Sequence, residues 1–94
     1  LGYWHDTGRV HQRERWGLPE HGAWLDAYAD RMVGCHLQDA TPDQAEMPPG
    51  SGEVDFKLVQ SYLGADVERV LEIEASHGRA EILAAIRFLI DQGF

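Results

Sequence analysis

The stretch Met32-Val33-Gly34-Cys35-His36-Leu37-Gln38-Asp39 decides how the rest of the chain is read. It is a short apolar run ending in polar residues, the pattern of a buried strand with chemistry at its carboxyl end. Alternate side chains of a strand share a face, so Gly34, His36 and Gln38 are expected on one side and Val33, Cys35 and Leu37 on the other. Read alone, His36 is a buried histidine satisfied by a backbone carbonyl. Its neighbours along the chain give it a second reading.

Upstream, Leu1 to His5 reads as a brief aromatic strand, and Asp6-Thr7-Gly8 as its end and a turn. The segment from Arg9 to Gly22 is polar and basic, with Arg9, His11, Arg13, Arg15 and His21, and the Gly17-Leu18-Pro19 break speaks for a long loop with at most a helical turn. Ala23 to Arg31 carries Trp24, Leu25 and Tyr28, then Met32, at spacings near three and four, which predicts an amphipathic helix feeding directly into the central strand.

Downstream, the run from Ala40 to Gly52 holds three prolines and two glycines and is expected to be a long loop at the strand's carboxyl end. Asp55 is the expected N-cap of a helix from Phe56 to Leu63, with Gly64 closing it. Arg69 to Glu74 alternates as a strand, placing Val70, Glu72 and Glu74 on one face. Arg79 to Gln92 is the clearest helix, with Ile82, Leu83, Ile86, Leu89 and Ile90 as its stripe and Gly93 at its end.

Composition narrows the partners. Ninety-four residues, 44% of them apolar, suffice for one domain with a modest core. Sixteen acidic residues against eight Lys and Arg give a formal charge of -8, which disfavours nucleic acid and anionic membranes and favours cations. Cys35, the single cysteine, reads as a small core residue and fits the reducing cytoplasm. No run approaches the length of a membrane span. His5, His21 and His77 read as surface residues of turns or of the opposite strand face.

The alternation of three strands and three helices predicts an α/β fold with a parallel sheet. The polar residues all fall at strand ends: Asp6 on the first, His36 and Gln38 on the second, Glu72 and Glu74 on the third. A doubly wound sheet would bury them under helices, whereas a (β/α)8 barrel gathers them at its mouth. Such a barrel takes roughly 250 residues, so the expectation is three consecutive βα units, an incomplete TIM barrel forming one partial domain over residues 1–94.

Four pieces together carry a resemblance: Asp6-Thr7-Gly8, His36-Leu37-Gln38-Asp39, the Pro49-Gly50-Ser51-Gly52-Glu53-Val54-Asp55-Phe56 segment, and Val70-Leu71-Glu72-Ile73. They resemble the xylose isomerase-like barrel superfamily, which includes sugar phosphate isomerases and epimerases and the apurinic endonucleases. The resemblance implies strands six to eight of the barrel, a C-terminal portion inactive alone. It also implies a divalent metal (Mn, Mg, Co or Zn) held by Asp6, His36 and Glu72, donors of a type that suits those ions. Glu72 would double as the catalytic group that moves a proton. Arg9 and His11 stand near the place where the family has a histidine and, with Gln38 and Glu74, are the expected contacts to a sugar or sugar phosphate. Trp4 and Trp16 could line its pocket. The sequence departs from the family at Arg9, which cannot ligate a metal, and in the stretch Asp43-Gln44-Ala45-Glu46-Met47, which lacks the endonucleases' Asp-x-His pair. The isomerase or epimerase reading is therefore set beside a non-catalytic binding or regulatory barrel and, third, an endonuclease-like phosphodiesterase. Open sheet edges and an uncovered inner face predict a homo-oligomer.

Overall fold

The computed structural model describes residues 2–14, 17, 19–74 and 76–94. Leu1, Arg15, Trp16 and Leu18, which enter the expectations above, lie outside these. Among the described residues the chain runs through β1 (Tyr3–Asp6), α1 (Thr7–Arg13), α2 (His21–Tyr28), a short 3-10 turn (Ala29–Arg31), β2 (Met32–Leu37), α3 (Phe56–Tyr62), β3 (Glu68–Leu71) and α4 (Arg79–Asp91). The three strands form one parallel sheet in chain order, β1-β2-β3. The architecture is thus mixed α/β, as the alternation predicts.

Two expectations are corrected early in the chain. No turn or long loop follows β1: Asp6 is both the last strand residue and the N-cap of α1, its carboxylate accepting from Arg9 N at 3.0 Å. That helix escapes a pattern search because Val10 is its buried large aliphatic residue, the other buried positions being Thr7 and Gly8. Thr7 instead seals the strand end, its hydroxyl donating to Gln38 O at 2.5 Å and accepting from Gln38 N at 2.9 Å. The next helix starts at His21, two residues before the expected Ala23, and tightens into the 3-10 turn before β2.

The core lies on one face of the sheet. Cys35 and Leu37 from β2 meet Leu25 of α2, Phe56 and Val59 of α3, and Leu89 of α4, with Leu71 packed against them. Burial of Cys35 lifts its thiol to about 12. Met32 joins the same cluster although alternation would turn it away. A register shift in β1–β2 explains this: Tyr3 pairs with Met32 but Trp4 pairs with Gly34, leaving Val33 as an extra residue that is 47% exposed.

The opposite face carries Trp4, Gly34 and His36. A methyl group on Gly34 would fall 2.3 Å from the Trp4 ring, so glycine is what lets the indole lie across the sheet and meet the His36 imidazole at 5.1 Å. Trp4 remains 46% exposed, and this face has no helix cover among the described elements.

The long loop after β2 is held by one carboxylate. Asp39 is buried; its Oδ1 accepts from Ala40 N and Val54 N, both at 2.9 Å, and its Oδ2 from Gly50 N at 2.8 Å. A short antiparallel bridge between Asp39 and Met47 closes the loop's first half. Asp55 caps α3 as expected, accepting from Leu58 N at 3.1 Å. Gly50, at φ +97°, sits against the Phe88 ring, which in turn packs edge-on to Phe56.

In α4 the expected stripe is only partly the packed one. Ala85 and Leu89 are buried, while Leu83, Ile86 and Ile90 are exposed, Ile90 by 61%. The apolar stripe is wider than the contact that the sheet offers it. Gly93 ends the helix at φ +101°, where a left-handed residue is needed. The last strand stops at Leu71 rather than Glu74, though Glu72 N still reaches Leu37 O at 3.3 Å.

Candidate functional site at the strand ends

Parallel pairing brings the expected residues to one end of one face. Asp6 stands opposite His36 in register, and His36 opposite Val70, two residues before Glu72. Glu72 Oε2 lies 3.1 Å from His36 Nδ1 and accepts from Gln38 Nε2 at 2.6 Å. A carboxylate accepting from an amide fixes which way that amide faces. It leaves the buried Gln38 Oε1 without a hydrogen-bond partner in the structure.

Asp6 is otherwise engaged. Besides capping α1, its Oδ2 lies 3.5 Å from Arg9 Nε. Burial raises its carboxyl above the ordinary carboxylate range against the pull of the Arg9 backbone N–H and guanidinium, and the Glu72 carboxylate adds to the rise. Arg9 also gives Nη2 to Glu46 Oε1 at 2.8 Å. Glu46 holds a left-handed φ of 58°, unusual for a side chain of its size. A cleft of about 230 Å³ at this end is lined by Gln38, Glu46, Glu72, Ile73 and Glu74. Glu74 therefore shares a cleft with Glu72 although it lies beyond the strand, and its carboxylate accepts from Ser76 Oγ at 3.4 Å.

The donor types at this end, one imidazole and two carboxylates, are those of a hard or borderline divalent cation. His36 and Glu72 already meet, while the orphaned Gln38 oxygen is buried against Gly8 of α1. Asp6 does not reach both members of that pair within 4.8 Å.

His11 lies elsewhere, in a group that sequence reading missed. His11, Glu14 and His21 each bring a ligand atom within 4.8 Å of the other two, the one such trio among the described residues, and so could hold a metal ion. His5 and His21, expected at the surface, are 0% and 4% exposed, and their Nε2 atoms lie 2.7 Å apart. Burial lowers His5 to about 3 with His21 beside it, and lowers His21 to about 4 with His11 adding to the effect. Glu14 Oε1 accepts from His21 N at 2.7 Å and lies 3.9 Å from His11 Nδ1. The available signal was the spacing His11-x-x-Glu14, neighbours on a helix, which the reading of this segment as loop concealed. His77, also expected at the surface, is half-buried and meets Glu81 Oε2 at 2.5 Å.

No family model, curated protein or solved structure matches the chain. Among the described residues no helix is long and apolar enough to cross a membrane.

Proposed function

We propose that the chain supplies the last three βα units of a barrel whose activity is the metal-dependent isomerisation or epimerisation of a sugar or sugar phosphate. The observation that carries this reading is the Glu72 carboxylate, joined to His36 Nδ1 at 3.1 Å and Gln38 Nε2 at 2.6 Å at the ends of adjacent parallel strands, with Asp6 across from His36. His36 and Glu72 would hold the cation, and Asp6 would join them on leaving Arg9, since its carboxylate is not within 4.8 Å of both here. When bound, a divalent ion polarises the carbonyl or alkoxide oxygen of a sugar.

The chain's own groups then have distinct tasks. Glu72, held by the Gln38 amide, exchanges the proton next to the carbonyl, and the carbon skeleton passes through an enediolate. Trp4, whose outer ring edge lies over Gly34, offers an apolar surface to the C–H face of a sugar ring. Glu74 lines the same cleft as Glu72 and would accept from substrate hydroxyl groups there. Arg9 suits a phosphate once released from Glu46.

Manganese titrated into a His11→Ala chain, which lacks the second histidine group, tests the site. Saturable binding is expected, and Glu72→Gln should abolish it. Unchanged binding in that variant removes Glu72 from the site.

One observation favours a second reading, a binding or regulatory module without catalysis. Asp6 is occupied by the α1 cap and by Arg9, and Arg9 by Glu46, so this end is already tied together by protein partners. Sugar turnover by the chain joined to a complete barrel would end that reading. The proposal includes self-association, since the open sheet face and the exposed side of α4 leave Trp4, Val33, Leu83 and Ile90 uncovered.

A further inference from the structure

The histidine group behind β1 has no part in the reading above. His11 lies in the last turn of α1, Glu14 caps that helix, and His21 opens α2. Zinc bonds of about 2.0–2.2 Å set tetrahedral ligand atoms roughly 3.3–3.6 Å apart. Atoms now within 4.8 Å of one another need to close by only about 1 Å to seat that ion.

The hydrogen bonds behind His21 say which of its nitrogens is available. His21 Nε2 faces His5 Nε2 at 2.7 Å, so one of the two carries the proton. His5 Nδ1 lies 2.9 Å from the Tyr3 hydroxyl, which accepts from Trp24 Nε1 at 2.6 Å. The chain of protons can run in two directions. In one, Tyr3 donates to His5 and His5 to His21, and the neutral His21 then keeps its proton on Nδ1. In the other, His21 Nε2–H donates to His5, and His5 Nδ1–H to the Tyr3 oxygen, which leaves His21 Nδ1 with a free lone pair. The second direction is the one that ligating histidines adopt, giving their outer N–H to a fixed acceptor.

We infer that His11, Glu14 and His21 form a zinc-binding site, with His21 ligating through Nδ1 and His5 acting as its outer hydrogen-bond partner. Three protein ligands leave a fourth position for water or an anion. It borders a cleft of about 210 Å³ that these residues line together with Glu20, Glu53 and Asp55, whose carboxylates draw cations in. The site is separate from the strand-end group and stands or falls independently of it.

The test is zinc alone, titrated into the 94-residue chain carrying Glu72→Gln so that the strand-end group does not contribute. Saturation at one zinc per chain is expected. Ring-nitrogen NMR should show metal-shifted nitrogens on His11 and on His21 Nδ1, with the proton of His5 moved to Nδ1. His5→Gln should weaken binding by roughly 10–100-fold, the usual cost of losing an outer partner. Glu14→Gln and His11→Ala should each weaken it further than that, in chains whose circular dichroism confirms folding; if one of the two fails to fold, the other supplies the reading. Absence of saturation up to millimolar zinc would overturn the site. So would unchanged affinity in a folded ligand variant, or metal shifts on His36 in place of His11 and His21. Full affinity in His5→Gln would overturn its assigned role.

Discussion

Asp39 and Val54 are joined across fifteen residues by a buried hydrogen bond of 2.9 Å, and the same carboxylate holds Gly50 N and Ala40 N. The loop has backbone bonds of its own, Asp39 N to Met47 O at 2.7 Å and Glu53 N to Ala40 O at 2.9 Å among them, and this side chain adds the ties between its start, its Gly50 turn and its end.

Asp39→Ala should therefore destabilise the chain by about 2 kcal/mol or more, because the buried Ala40 and Val54 donors left unsatisfied cost about 1–3 kcal/mol each. Urea denaturation checks it. A loss under about 1 kcal/mol would mean that water replaces the carboxylate.

Two glycines make an informative pair. A methyl group on Gly34 meets the far edge of the Trp4 ring, which can swing out, whereas one on Gly52 meets Asp39 Oδ1 at 2.6 Å and the Ala40 backbone at 2.7 Å and 2.9 Å. Gly34→Ala should cost under about 1 kcal/mol and Gly52→Ala about 1–3 kcal/mol, the usual range for overpacking. The indole resonance of Trp4 should shift in the first variant, and the order of denaturation midpoints tests the contrast.

Acid should destabilise the metal-free fold through His5 and His21. Their folded values, about 3 and about 4, lie below the ordinary 6.5, so the unfolded chain takes up protons first. The stability they contribute is complete above pH 6.5 and is lost as the pH falls from there toward 4 and 3. Thermal melts in a chelator-containing buffer should fall over that window, and a His5→Gln, His21→Gln double variant should flatten the slope.

Cys35 should be silent toward thiol reagents in the native chain, since it is fully buried and its thiol is lifted to about 12. Labelling by a chromogenic disulfide should follow the urea unfolding curve. Rapid native labelling would show that β2 is accessible from one side.

Sedimentation at micromolar concentration should give a dimer, and Ile90→Glu should shift it toward monomer with little loss of stability, because Ile90 is 61% exposed within one chain. An unshifted dimer would place the contact on the open sheet face instead.

The sequence made the parallel sheet and the shared side of His36, Gln38 and Glu72 legible because the strands are consecutive and alternation holds beyond the Val33 bulge. Asp55 announced α3 by the same local chemistry with which it caps the helix. Helix α1 was hidden because helix reading depends on an apolar stripe, and Thr7, Gly8 and Val10 hardly make one. The Met32 reversal was hidden as well, since a bulge changes face without changing composition. The histidine group was hidden by the first of these: His11, Glu14 and His21, from α1, its cap and the start of α2, all fall in the stretch from Arg9 to Gly22 that composition marks as loop. The outward Leu83, Ile86 and Ile90 mark where periodicity reports apolarity but not the neighbour that will meet it.

No connecting residue separates β1 from α1: Asp6 ends the one and caps the other. Strand register and helix phase are consequently a single quantity, with no slack to absorb a mismatch. One residue inserted after Asp6 would turn α1 by about 100°, carrying His11 and Glu14 around the helix axis and away from His21 while the strands stayed paired. In this chain a change of length at one peptide bond works as a change of angle in a cluster of imidazoles.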